Sequence, residues 1–388
     1  MDSFVVVDVW AGVSSFMDGF CHSGFNKQQL FGFIEISRVA CALLTLVYPL
    51  ACVCGDFYSY SWREWAPKLR QKRVIVCGGP SCCHLSSAGK MLAANDPRAA
   101  QMMDTARLAV SFRAFILILE NVCALQDSDS THGLLSSAVL YLAEHQMISV
   151  CCFRIRDSAT GGYSCRERVF PYFEHAEMAS CLPALSPSVP YVQSRPLWQI
   201  LDPVSAVKHL VLPGSFSPAA LQPLSLQPVL DRFPQTAGQA SVIYRRVFDI
   251  GATVVWRRGA RSGKPWKVIA KKNAFFQVFY DSRRYPVFKW VHRDQLARAQ
   301  VVAFVYDVTS VYGVSRTIRA AAFPPVNSLL IYDPRPEVRA VRSISAAEAW
   351  RICSLSEEKL GALVASGASE KEIIERAGNS IPLTMTKA

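Results

Sequence analysis

The sequence predicts an α/β fold: a Rossmann-like parallel sheet covered by helices, joined to a second, smaller and mostly β region. From Phe4 to Val169, short apolar runs alternate with helix-like stretches, which is the pattern of βαβ units. The runs are almost continuously apolar, as expected for strands buried on both faces. A later region alternates apolar and basic residues, which is typical of half-exposed strands. With 388 residues, 51% of them hydrophobic, the chain is large enough for both parts.

Acidic residues accompany the first three predicted strands. FVVVD ends in Asp8 and runs into the turn WAGVSSF, FGFIEI contains Glu35, and the third strand leads to Asp56. Open α/β sheets bind nucleotide-like ligands at the carboxyl ends of their strands. Glu35 suits ribose hydroxyls, and Asp56 suits an adenine amino group. The turn lacks the glycines of GxGxxG, so the alternative for each acid is an ordinary exposed loop residue.

The next two predicted strands end in groups that suit nucleophilic chemistry. VIVCGGPSCC passes through a tight turn and places Cys82 at the edge of the sheet, where a cysteine can attack as the thiolate. FILILENV ends at Glu120. A carboxylate directly after a buried strand is costly unless it is solvated or has a task. Cys82 is therefore the candidate nucleophile, with Cys83 as its rival, and Glu120 is the candidate acid.

Most of the positive charge lies in a later part of the chain. Ten prolines from Pro183 to Pro234 predict an irregular connection. Residues 244–298 then hold 14 Lys or Arg against three Asp, a net of +11 out of +12 for the whole chain. The short strands predicted there favour a small barrel or a twisted meander. This charge favours a polyanionic partner, and the last segments return to helix.

The order and spacing of these segments resemble the motifs of the cytosine carbon-5 DNA methyltransferase family. The resemblance rests on DVWAGVSSFMDGF, FIEI, GDF, GGPSC, SAGK, DPR, MMDTARL, ENV, GGYSCRERVF, RSISAAEAWRI and AGNSIP. It implies a class I methyltransferase sheet with a smaller, mostly β target-recognition domain. Residues 1–170 would form the first part of the catalytic domain, residues 171–310 the proline-rich connection and the target-recognition domain, and residues 311–388 a return to the catalytic domain.

The resemblance also implies S-adenosylmethionine as the methyl donor, S-adenosylhomocysteine as its product, and no metal. Cofactor-binding positions carry over from the first motifs, the nucleophile turn and the last motif. These positions are Asp8, Trp10, Ala11, Gly12, Val13, Ser14, Ser15, Glu35, Ile36, Asp56, Phe57, Gly79, Pro80, Asn379 and Ser380. Trp10 would supply an aromatic wall.

The mechanism that the resemblance implies uses a flipped-out cytosine. Cys82 would add to carbon 6 while Glu120 hydrogen-bonds ring nitrogen 3, so that carbon 5 takes the methyl group. Arg166 and Arg168 would hold the cytosine carbonyl and a neighbouring phosphate, because a planar donor that is always charged suits both. The plainer alternative for this pair is a surface strand with two solvated arginines.

In the family, the region after the arginine motif selects the target sequence, which makes double-stranded DNA the expected partner. The basic residues that we expect to contact DNA are Arg257, Arg258, Arg261, Lys264, Lys267, Lys271, Lys272, Arg283 and Arg284. More than half of the aromatic residues among them are expected to form the region's own core. RNA is the alternative substrate, because one branch of the family methylates transfer RNA with the same motifs.

Four positions depart from the family pattern. Ser14 replaces a glycine, Ser81 the proline before the nucleophile, and Ser164 a glutamine, while Gln101 stands where an apolar residue usually lies beside adenine. Ser81 is expected to loosen a loop that proline would stiffen, and Ser164 to shorten a contact to the flipped base or loop. These departures leave a weakly active or silent DNA-binding relative as a third hypothesis.

The remaining expectations concern location and assembly. The longest apolar stretch, Val39 to Cys54, is interrupted by Pro49 and is shorter than a membrane-spanning helix. The N-terminus has no basic segment typical of a signal peptide. Cysteine pairs such as Cys151 and Cys152 lack the spacing of a zinc site. We therefore expect an intracellular monomer, nuclear in a eukaryote or cytoplasmic in a prokaryote.

Overall fold

The structure is a computed structural model. It describes residues 4–82, 96–127, 129–179, 191–207, 241–244, 253–256, 265–272, 275–281, 286–292, 296–298, 306–310, 314–315, 317–318, 329–333, 335–338 and 340–387. In strands β8 to β14, defined below, the description concerns the backbone.

The central feature is a seven-stranded sheet in the order β3-β2-β1-β4-β5-β7-β6. Strands β1 to β5 pair in parallel, whereas β7 is antiparallel to both β5 and β6. The strands are β1 (Phe4–Val9), β2 (Leu30–Ile34), β3 (Cys52–Cys54), β4 (Arg73–Gly78), β5 (Ile116–Leu119), β6 (Met147–Arg156) and β7 (Glu167–His175). This mixed sheet confirms the predicted Rossmann-like architecture.

Helices cover both faces of this sheet. They are α1 (Ser15–His22), α2 (Arg38–Val47), α3 (Ala66–Leu69), α4 (Ala100–Ser111), α5 (Ala124–Asp127), α6 (Asp129–Glu144), α7 (Ala176–Ala179), α8 (Val204–Val207), α9 (Ala346–Ile352), α10 (Glu357–Ala365), α11 (Glu370–Asn379) and α12 (Leu383–Lys387). Among the described residues, no helix is both long and apolar enough to cross a membrane.

The core lies on both sides of the sheet because successive residues of a strand face opposite sides. In β1, Val6 and Val7 are both fully buried but belong to different hydrophobic clusters. The cluster of Val6 includes Trp350 and Ile373 from the C-terminal helices, whereas that of Val7 includes Met102 from α4. Burial on both faces explains why the strand sequences are almost continuously apolar.

Two smaller sheets follow in the chain. The first is antiparallel in the order β12-β11-β10-β9-β13, as expected for a meander, and the second has the order β16-β15-β14-β8. Their strands are β8 (Ser241–Tyr244), β9 (Thr253–Trp256), β10 (Pro265–Lys272), β11 (Phe275–Asp281), β12 (Pro286–His292), β13 (Leu296–Arg298), β14 (Tyr306–Ser310), β15 (Leu330–Asp333) and β16 (Ala340–Ser343).

Candidate active site

The turn between β1 and α1 has an unusual backbone. Trp10, Gly12 and Ser14 all adopt the left-handed conformation, with φ of 57°, 55° and 56°. This conformation costs a non-glycine residue energy unless the surroundings hold it. A side chain added at Gly12 would meet no atom within 4 Å, so the turn borders open space. Ala11 is fixed through its N–H, which donates to the Ile34 carbonyl at 3.2 Å.

Ser14 compensates for its strained backbone through its side chain. Its hydroxyl donates to Asp8 Oδ2 at 2.6 Å, and both side chains are buried. Burial raises the pKa of Asp8 to about 7, opposed mainly by the hydrogen bond from Ser14 and the charge of Lys359. The serine that departs from the family's glycine therefore points towards the buried Asp8.

Glu35 holds the same turn from the neighbouring strand. Its Oε2 accepts the Gly12 N–H at 2.8 Å, and its Oε1 accepts the Ser37 N–H at 2.7 Å. The next side chain, Ile36, is 72% exposed. An apolar side chain thus lies uncovered beside a carboxylate and a turn that borders open space.

An aromatic wall flanks the turn. The rings of Trp10 and Phe57 stack at a centroid distance of 4.9 Å, and Phe57 is buried. The indole N–H of Trp10 donates to Thr105 Oγ1 at 3.0 Å. Asp56 is exposed, and its Oδ1 accepts the Tyr58 N–H at 3.0 Å.

Residues 79–82, here called the nucleophile loop, follow β4. A side chain at Gly79 would lie 3.1 Å from Glu120 Oε2, so the glycine allows this carboxylate to approach the loop. Asn121 Nδ2 donates to the Pro80 carbonyl at 3.1 Å, and the Ser81 N–H donates to Gln101 Oε1 at 2.8 Å. The loop ends at Cys82, which is half-buried.

Glu120 and Arg168 form a buried pair at the end of β5. Arg168 Nε lies 2.7 Å from Glu120 Oε1, and the Glu120 N–H donates to the Gly78 carbonyl at 2.9 Å. Among the described residues, neither Arg168 Nε nor Glu120 Oε1 makes a well-directed hydrogen bond. The two atoms are buried and face each other across the ion pair.

Arg166 is also buried, and it connects this pair to the C-terminal segment. Its guanidinium donates to the Gly378 carbonyl at 2.8 Å. Burial and then the charge of Arg168 lower the pKa of Arg166 to about 10, while Glu120 and Cys82 favour its charged form. The alternative of two solvated surface arginines is therefore wrong, since both side chains lie inside the protein.

The other cofactor positions lie in two places. Val13 and Ser15 are buried at the start of α1, and among the described residues Ser15 Oγ has no hydrogen-bond partner. Asn379 is exposed at the end of α11, whereas Ser380 is buried and donates to the Ala377 carbonyl at 2.8 Å.

One part of the site was not predicted from the sequence. Lys359, fully buried, donates to the Val13 and Ser14 carbonyls and pairs with Asp18 at 2.7 Å. A lysine within a helical pattern gives no sequence signal of such a role. Ser164, for which the sequence predicts a shortened contact to the flipped base or loop, donates its hydroxyl to the buried Asp157 at 2.6 Å.

The residues expected to contact DNA cannot be placed in the same detail. Arg257, Arg258, Arg261, Lys264, Arg283 and Arg284 lie outside the described residues, and Lys267, Lys271 and Lys272 are described only as backbone positions of β10. In the part of the chain that is described, no cluster of three or more potential metal-binding side chains was found.

Comparison with known structures identifies the fold. A methyltransferase of Entamoeba histolytica, EhMeth, has a TM-score of 0.63 at 10% identity, covering 100% of this chain and 96% of that one. DNMT2 of Spodoptera frugiperda, in a mutant form, gives 0.60 at 12% identity, covering 99% and 98%. A protein described as a prophage DNA modification methyltransferase from E. coli gives 0.56 at 14% identity, covering 99% and 97%. The chain has the fold of the Rossmann-like methyltransferases.

A family profile matches the N-terminal part of the chain. Residues 4–170 match the profile described as C-5 cytosine-specific DNA methylase. No curated protein matches the chain. The matched segment contains the turn at Gly12, the nucleophile loop, Glu120 and both arginines.

Proposed function

We propose that this protein is a DNA methyltransferase that transfers a methyl group from S-adenosylmethionine to carbon 5 of cytosine, with Cys82 as its nucleophile. The observation that carries this proposal is that the nucleophile loop, Glu120 and the two arginines come together at one edge of the sheet. The nucleophile loop that ends in Cys82 lies against the Glu120 carboxylate, and Glu120 pairs with Arg168. The Cys82 thiol also interacts electrostatically with Arg166.

The residues around the first turn suit the proposed cofactor. The open space at Gly12 and the exposed Ile36 offer room and apolar contact. The wall of Trp10 and Phe57 offers an aromatic surface. Bound there, the cofactor would supply an electrophilic methyl group.

The proposed chemistry assigns a task to each catalytic group. The Cys82 thiolate adds to carbon 6 while Glu120 donates a hydrogen bond to ring nitrogen 3, which places electron density at carbon 5. Arg168 holds Glu120, and the guanidinium groups of Arg166 and Arg168 offer donors to the cytosine carbonyl. After methyl transfer, a solvent water accepts the proton from carbon 5, and cleavage of the bond between sulfur and carbon 6 regenerates the thiolate and leaves 5-methylcytosine.

We further propose the division into domains that the sequence suggested. Residues 171–310 would select the target, with the basic residues of 244–298 on the nucleic acid, and residues 311–388 would complete the catalytic domain. The bond from Arg166 to the Gly378 carbonyl supports the last assignment, because it joins the arginine motif to the final motif. This large basic region favours a DNA duplex over RNA.

A mechanism-based trap tests the proposal. Purified protein is mixed with S-adenosylmethionine and a duplex DNA library that contains 5-fluorocytosine, and a matched 5-fluorocytidine RNA library is run beside it. The fluorine blocks loss of the carbon 5 substituent, so a catalytic cysteine remains attached to the base. We expect a covalent DNA adduct that maps to Cys82 by mass spectrometry.

Two variants serve as controls for the trap. Cys82→Ser should abolish the adduct, and Cys83→Ser should retain it. An adduct that persists in Cys82→Ser would overturn the covalent mechanism. The mechanism would also be overturned if the wild type forms an adduct with neither the DNA library nor the RNA library. An adduct on RNA but not on DNA would assign the enzyme to the RNA branch.

A further inference from the structure

The residue before Cys82 makes a contact that a proline could not make. The Ser81 backbone N–H donates to Gln101 Oε1 at 2.8 Å, whereas proline has no N–H to donate. Serine in place of the family's proline therefore introduces a donor, and glutamine in place of an apolar residue introduces its acceptor. Two positions that depart from the family pattern, Ser81 and Gln101, are thus the donor and the acceptor of one hydrogen bond.

Gln101 is itself held in place by α4 and the aromatic wall. Its backbone carbonyl accepts the Thr105 hydroxyl at 2.7 Å, and Thr105 Oγ1 accepts the indole N–H of Trp10 at 3.0 Å. Trp10 is thus linked to the nucleophile loop through Thr105 and then through the backbone and side chain of Gln101. The loop has a second anchor at Pro80, whose carbonyl accepts Asn121 Nδ2.

We propose that Gln101 is a positioning residue, which holds the nucleophile loop through Ser81 and links it to the aromatic wall at Trp10. Proline would stiffen the loop by fixing its own φ, and the Ser81 to Gln101 hydrogen bond replaces that restraint with one from α4. The effect of Gln101 on catalysis rests on the proposed function. The restraint on Cys82 does not, because it is a property of the loop itself.

A cycle of variants tests the contact. Gln101→Met keeps the approximate shape but removes the acceptor, Ser81→Pro removes the donor, and the double variant has neither. Loss of the net contribution of one hydrogen bond changes an equilibrium constant or a rate by roughly three- to tenfold. We expect each single variant to lower kcat by about that factor, and the double variant to return to within about twofold of the wild type.

A second measurement does not depend on methyl transfer. The rate at which iodoacetamide alkylates Cys82, resolved from Cys77 and Cys83 by fragment mass spectrometry, reports the restraint on the loop. We expect Gln101→Met to accelerate alkylation roughly three- to tenfold, and Ser81→Pro in that background to restore the wild-type rate. Arg107→Met, a substitution on the exposed side of α4, should leave the rate unchanged.

The outcome separates the two proposals. If no nucleic acid is methylated but the alkylation rates follow the cycle, the positioning contact stands and the proposed function fails. If the effects of the two substitutions simply multiply in the double variant, or if Gln101→Met changes neither rate, the positioning role is overturned. Thermal unfolding of each variant identifies any that fails to fold.

Discussion

Burial of ionisable side chains in the site is unfavourable, and neighbouring groups offset part of that cost. Asp8 is a buried carboxyl and would be unfavourable in its charged form, yet Ser14 donates to it and Lys359 lies near enough to act on its charge. Glu120 is buried beside Arg168. Buried ionisable groups of this kind are common at functional sites.

The first prediction concerns Glu120. Replacement by Gln keeps the shape but removes the carboxyl that contacts Arg168. Loss of general acid catalysis typically costs 10²- to 10⁴-fold, so we expect kcat to fall by about that range. Binding of S-adenosylhomocysteine, measured by calorimetry, should stay within about threefold of wild type, because the proposed role of Glu120 is to contact the base and not the cofactor. Equal losses in both measurements would contradict the assigned role.

The second prediction concerns the pH dependence of stability through Asp8. Burial raises its pKa from 3.8 to about 7, so between these values the folded chain keeps a proton that the unfolded chain has released. The free energy of unfolding therefore falls as the pH rises through this window. Each tenfold change in proton affinity is worth about 1.4 kcal/mol, which makes the loss on the order of a few kcal/mol.

Asp8→Asn should remove this contribution, because asparagine does not titrate but still accepts the Ser14 hydroxyl. Urea unfolding at pH 5 and pH 8 is the measurement. The free energy of unfolding should fall further between these two pH values in the wild type than in the variant. Equal decreases in both proteins would exclude Asp8 as the source of the pH dependence. The groups that influence its titration are Ser14, Lys359, Cys77 and Glu35.

At the scale of elements, Lys359 of α10 joins the C-terminal helices to the first turn. Its ammonium lies among the Val13 and Ser14 carbonyls and the Asp18 carboxylate. It also lies over the Tyr48 ring, at 5.2 Å from the centroid. Burial lowers its pKa, and the charge of Asp18 opposes this effect. One side chain thus holds a turn that lies more than 340 residues earlier in the chain.

The third prediction follows from this contact. Lys359→Met leaves Asp18 and two carbonyls without their donor, and breaking a buried pair typically costs about 3–5 kcal/mol. Denaturant unfolding should show a loss of that size, accompanied by weaker S-adenosylhomocysteine binding. Lys27→Met is the matched control, because its pair with Glu358 is exposed and such pairs contribute about 0–1 kcal/mol. Similar losses in both variants would contradict the argument.

At the scale of the molecule, most of the net positive charge lies in a different part of the sequence from the candidate active-site residues. Residues 244–298 carry a net +11, and this excess is expected to drive nucleic-acid binding by releasing counterions. The site residues are instead neutralised locally, as in the pair of Glu120 with Arg168. Under the proposed function, binding of the polymer and chemistry on the base would fall to different parts of the chain.

The fourth prediction is the effect of that charge on DNA affinity. Changing Lys267, Lys271 and Lys272 together to Gln should weaken duplex binding and flatten its dependence on salt. Each lost phosphate contact should reduce the slope of log affinity against log salt by about 0.9. Fluorescence anisotropy, measured between about 50 and 200 mM salt, gives this slope. An unchanged slope would show that these lysines do not contact phosphate.

The sequence by itself determined the sheet and the positions of the candidate groups within it. The near-continuous apolar runs required strands buried on both faces, and the ends of those strands predicted where Asp8, Glu35, Cys82 and Glu120 fall along one edge. These features are local in the sequence, because they depend on neighbouring residues and on the regular geometry of a strand.

Only the tertiary structure decided which partners these groups take. Lys359 reaches Ser14 across 345 positions, Arg166 reaches Gly378 across 212, and Gln101 reaches Ser81 across 20. No periodic pattern connects such residues, since they meet only when separate helices, strands and loops pack together around the sheet. The sequence therefore predicted the candidate nucleophile, whereas the folded structure revealed the hydrogen bond that holds its loop.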